Sequence, residues 1–201
     1  MKYSSRCLKF LQLAALALFA IGLPSLAHAH TGIGHASGWV HGLAHPIGGL
    51  DHLCAMVAVG MWAAQAGGRT VWLVPLTFVT IMALGGVLGM AAVPLAYAEQ
   101  GIVMSLLVLG VLIAAAIRLP LAVSAAVVGL FALCHGYAHG TEMPGDASGL
   151  AYAAGFMLAT ALLHASGIGL TLFAKGIGRG QWLRLAGVAI TLCGGSLLFG
   201  G

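Results

Sequence analysis

Two clusters of histidine and acid stand out in a chain that otherwise carries almost no charge. The first is His45-Pro46-Ile47-Gly48-Gly49-Leu50-Asp51-His52. The second is His135-Gly136-Tyr137-Ala138-His139-Gly140-Thr141-Glu142. Imidazole and carboxylate are the nitrogen and oxygen donors that divalent transition metals take. Only 6% of the residues are charged, and 61% are hydrophobic. An ionisable side chain near the middle of a bilayer costs about 2.5–3.5 kcal/mol on insertion scales. Several such side chains in or beside apolar segments therefore need a reason, and a metal cation fits these residue types.

The spacing sharpens that reading. His135, His139 and Glu142 fall at i, i+4 and i+7, which puts them on one face of a helix. Two imidazoles and a carboxylate on one stripe can converge on one ion, and the partial negative charge of the helix C-terminus favours a cation there. In the first cluster the proline after His45 places that histidine at the helix cap. His52, seven residues on, comes under His45 if the helix is regular. Asp51 either ligates directly or holds a histidine ring through its second nitrogen. Gly48 and Gly49 lie inside this cluster and can let the backbone open toward a site. His41 extends the first cluster outward by four residues as an accessory or surface histidine. His164 stands alone in an apolar stretch and reads equally as an interhelical hydrogen bonder or as a residue on an ion path. Cys54 and Cys134 adjoin the clusters; they read by default as buried free thiols, with soft ligation or pairing left open.

The elements that must position these residues are membrane helices. A mean hydropathy of +1.06 over 201 residues with long uncharged runs predicts an all-α, polytopic membrane helix bundle. The N-terminus reads as a cleaved signal peptide over residues 1–29: Lys2, Arg6 and Lys9 precede an apolar run over 10–23, then Pro24 and Ala27-His28-Ala29. Cleavage after Ala27 or after Ala29 satisfies the rule, and an uncleaved anchor helix is the other reading. Residues 30–201 then form one transmembrane domain with six spans, at 46–66, 71–93, 102–117, 119–138, 148–174 and 183–200. Signal cleavage puts the mature N-terminus in the periplasm. All eight Lys and Arg then fall on the cytoplasmic side, as the positive-inside rule requires. Both clusters fall at the outer face of a bacterial inner membrane. Scattered basic residues exclude a nucleic-acid partner, and the absence of a G-x-x-x-x-G-K-[ST] loop excludes ATP hydrolysis by this chain.

The segments HPIGGLDHLCAMVAVG and LCHGYAHGTEMP resemble the two signatures of the HupE/UreJ family of nickel/cobalt permeases. The first carries H-x5-D-H in full. The second carries F-H-G-x-A-H-G-x-E with Cys134 where the family usually has Phe. The resemblance implies uptake of Ni2+ (or Co2+) as transported substrate, supplying a metalloenzyme such as hydrogenase or urease. It implies His45, Asp51, His52, His135, His139 and Glu142 as the metal-handling residues. Ligand chemistry alone does not choose the metal, since imidazole also suits zinc, copper and iron. Transport needs no catalytic residue, and the bilayer and the ion are the partners; a homo-oligomer is left open. The competing reading is an intramembrane zinc-dependent hydrolase with Glu142 as base, although no H-E-x-x-H motif is present. A metal-sensing or structural subunit would bind without flux.

Overall fold

The computed structural model describes residues 35–143 and 147–199. The segment read as a signal peptide, His30 and Asp146 lie outside them. Among the described residues the chain is all-helical: α1 His35–Gly48, α2 Leu50–Ala66, α3 Thr70–Met90, α4 Ala98–Ala114, α5 Leu121–Thr141, α6 Ala147–Gly176 and α7 Gln181–Phe199.

Helix α2 is the centre of the bundle. Ala55, Met56 and Ala58 through Gln65 are all buried, because α3, α4, α6 and α7 all pack against it. The outside of the bundle is apolar instead of polar. Trp72, Leu76, Leu130, Leu150 and Leu192 are all more than half exposed, the inverse of a water-soluble surface. Four helices are each long and apolar enough to cross a membrane: α3, α5, most of α6, and α7. The bent pair α1–α2 passes the same test as one broken span. Helix α4 is apolar but only 17 residues long, about 25 Å at 1.5 Å per residue. The protein is therefore a multi-pass membrane protein.

Close glycine contacts bring the helices together. A Cβ on Gly136 of α5 would run into the Met82 carbonyl oxygen of α3, and one on Gly140 into that of Gly86. Gly60 of α2 is seated in the same way on the His164 carbonyl of α6, and Gly110 of α4 against Thr191 of α7. Small residues at such crossings let backbones approach where no hydrophobic effect drives helices together.

Charge is segregated along the bundle axis. At one end, carbonyls in the last turns of α2 and α4, which a helix cannot satisfy itself, and one in the turn after α4 are taken by side chains. Lys175 Nζ donates to Ala64 O at 2.8 Å, Trp62 Nε1 to Ile117 O at 2.9 Å, Gln65 Nε2 to Ile113 O at 3.1 Å, and Arg184 Nε to Ala114 O at 3.0 Å. Arg69, at the N-cap of α3, belongs to this end. The other end carries Asp51, Glu99 and Glu142 around an open cavity.

The limits of five helices, α3 to α7, fall within a few residues of those expected from sequence. The first span differs. Helix α1 was not expected, and it meets α2 at 82°. Pro46 lies in its last turn, and Gly49 is extended at φ −103°, ψ 126°. A proline without an N–H, followed by two glycines, ends one helix and lets the next start in a new direction. His45 is consequently in the last turn of α1, not at a cap preceding one regular helix.

Candidate metal-capture site

The cavity between α1, α2, α4, α5 and α6 holds about 780 Å³ and is lined by His41, His45, Asp51, His52, Glu99, His139, Glu142 and Tyr152 among others. The break at Gly49 builds one wall. A Cβ there would stand 2.7 Å from Asp51 Oδ1 and 3.1 Å from His52 Nδ1, so glycine leaves room for these side chains to fold back over the turn. Asp51 sits in the first turn of α2, where a carboxylate complements the helix dipole. Its Oδ1 lies 2.8 Å from His52 Nδ1. With Nδ1–H donated to the carboxylate, His52 Nε2 is left as the ligand atom, the arrangement by which a carboxylate orients a metal-binding histidine. That nitrogen is buried and has no hydrogen-bond partner.

Helix α5 brings the second cluster up to the first. The His139 ring is 4.4 Å from that of His52 and 4.6 Å from that of His45, and His52 is 5.3 Å from His135. Four imidazoles thus form one continuous group across the 82° bend and the α2–α5 gap. Glu142 lies just beyond the α5 terminus, as its C-cap. Its Oε2 is 3.6 Å from His45 Nε2 and 3.9 Å from His139 Nδ1. One donor atom from each of His45, His139 and Glu142 lies within 4.8 Å of the other two. Opposite donors around an ion at about 2.1 Å stand about 4.2 Å apart, so small side-chain rotations close this set on a cation.

The grouping differs from the stripe that spacing alone suggests. His135 is fully buried one turn below His139, and its Nδ1 is 2.9 Å from the Phe131 carbonyl. The exposed mouth of the site pairs His139 and Glu142 with His45 of the other cluster instead. His52 and His135 form a deeper layer. Glu99, Tyr152 and Phe156 had no assigned role from sequence. Glu99 opens α4 and lines the cavity. Phe156 packs on His139 with ring centres 4.3 Å apart, and Tyr152 on His45 at 5.7 Å. The sequence signal for Glu99 was scarcity, since the chain has four Asp and Glu in all. The two aromatics, spaced i and i+4, look the same as core packing residues.

No solved structure matches this chain. A relative called Protein HupE, from Rhizobium leguminosarum bv. viciae, is 48% identical over 183 residues, which cover 91% of this chain and 95% of that protein. The family described as HupE / UreJ protein matches residues 16–197. On both counts, the chain belongs to the HupE/UreJ family.

Proposed function

We propose that the chain is a permease for a divalent transition-metal ion, nickel or cobalt, which it captures at the periplasmic face and passes inward without hydrolysing ATP. The observation that carries this reading is the convergence of His45, His139 and Glu142 within 4.8 Å at a cavity mouth, backed by His52 and His135 with unpartnered Nε2 atoms. The donors at the cavity mouth take up the ion, and the deeper imidazoles of His52 and His135 receive it. The membership of the HupE/UreJ family points to nickel or cobalt as the cargo and to hydrogenase or urease as the destination. Nitrogen-rich donor sets with one carboxylate suit these ions.

Orientation is supported by charge. The basic residues Arg69, Lys175 and Arg184 stand at the end opposite the cavity, which the positive-inside rule assigns to the cytoplasm. The cavity then faces the periplasm. The test is accumulation of radioactive nickel by cells expressing the chain, with cobalt and zinc as competitors. The proposal expects nickel accumulation that cobalt suppresses and that His139→Ala removes at trace metal while the protein remains in the membrane. Accumulation no greater than in cells lacking the chain would refute it.

A further inference from the structure

Beyond the capture site, and resting on the permease reading, we infer that His164 anchors a second, interior site that receives the cation in transit. His164 lies on α6, 1% exposed, and neither of its ring nitrogens has a hydrogen-bond partner. Its apolar surroundings make that unusual, because a buried polar group is normally paired. Hydroxyls elsewhere in the bundle obey the rule: Thr171 donates to Met61 O, Ser166 to Leu163 O and Ser105 to Ile102 O. An interhelical hydrogen bond, the ordinary use of a lone membrane histidine, is thus not what this side chain makes.

The Phe78 ring of α3 makes edge contact with His164 at 5.1 Å and with His135 at 5.6 Å, so the deepest imidazole of the capture site and His164 flank one aromatic side chain. His135 Nδ1 faces the Phe131 carbonyl. The ring therefore donates there and keeps its lone pair on Nε2, which is also unpartnered. One helical turn from His164 is Thr160, and one turn from Phe78 is Met82. The Thr160 hydroxyl lies 3.9 Å from the Met82 sulfur, and both residues are buried. Two imidazoles thus flank Phe78, and a hydroxyl–thioether pair lies one turn away on α6 and α3.

The position suits transit. Phe156 packs on His139, and His164 follows it by eight residues on α6, about 12 Å deeper at 1.5 Å per residue. Among the described residues no other histidine lies between this level and the end carrying Lys175. An unpartnered imidazole nitrogen, with a thioether one helical turn away, suits a borderline divalent cation such as Ni2+ or Co2+. With no carboxylate among these groups, the site holds the ion less tightly than the capture site does and lets it leave.

The test uses the full chain in proteoliposomes, with radioactive Ni2+ as probe and initial rates taken across nickel concentration. His164→Leu keeps the volume and removes two unpaired nitrogens, while His164→Gln keeps polarity but ligates poorly. Both are expected to lower the maximal rate roughly tenfold or more, with the half-saturating nickel concentration within about twofold of the unaltered chain. His164→Leu should also melt in detergent no earlier than the unaltered protein, as a merely structural histidine would not allow. A maximal rate within about twofold of the unaltered chain in either folded variant would overturn the inference, as would a loss confined to the half-saturating concentration. Absence of uptake by the unaltered chain would instead remove the permease reading, and this site with it.

Discussion

Replacing Glu142 with glutamine removes one negative charge from the capture site and little else. The carboxylate stands 3.6 and 3.9 Å from its two histidine partners, so a cation held among them feels it at about 4 Å or less. At that distance a pair of unit charges is worth about 1 kcal/mol in water and about 4 kcal/mol at an effective dielectric constant of 20. The Glu142 side chain is 62% exposed, so the watery limit applies, and a divalent ion doubles it to about 2 kcal/mol. That corresponds to roughly a 30-fold rise in the half-saturating metal concentration. The maximal rate should change little, because Glu142 lies at the cavity mouth and not on the buried part of the path. Initial nickel uptake measured from trace to saturating metal reads both quantities. A half-saturating concentration within about threefold of the unaltered chain, or a lost maximal rate that excess nickel cannot restore, would refute the assignment of Glu142 as a capture ligand.

His52→Ala should abolish accumulation at trace nickel, because it removes the one imidazole of the group whose ring a carboxylate orients, through Asp51, and normal uptake by this variant would contradict its role. Glu99→Gln, at the same cavity, should raise the half-saturating concentration less than Glu142→Gln does, and kinetics of the two variants side by side check the order. Gly136→Val would drive a side chain into the Met82 carbonyl and should destabilise by about 1–3 kcal/mol, seen as earlier melting in detergent. Gly48→Ala, with open space around it, should melt with the unaltered protein. Uptake at limiting nickel should fall as external pH is lowered, since protons and metal compete for imidazole nitrogen, and added nickel should restore it. Faster uptake at acid pH would indicate proton-coupled import instead.

Much of the helical layout was legible because apolar runs of about 20 residues have few alternatives. Helices α3, α5, α6 and α7 start and stop close to the predicted limits for that reason. The bend at Gly49 was harder to read. A proline and two glycines announce a flexible backbone, but nothing local says that α1 turns through 82° and carries His45 back over α5. The two clusters were visible as ligand chemistry, whereas their merger into one group depends on α2 and α5 facing the same cavity, a tertiary fact. Regular helical spacing therefore grouped His135 with Glu142, while the fold gives Glu142 to His45. The orphaned nitrogens of His164 were equally out of reach, since only packing decides whether a buried histidine finds a partner.

The most direct test of the account is nickel flux through the purified full chain in sealed proteoliposomes, with a variant combining His45→Ala and His139→Ala as control. The account predicts that radioactive nickel added outside accumulates in the lumen without ATP, that cobalt competes, and that the double variant carries none at trace metal. Nickel that binds to the protein but never reaches the lumen would contradict it and identify a binding subunit instead of a permease.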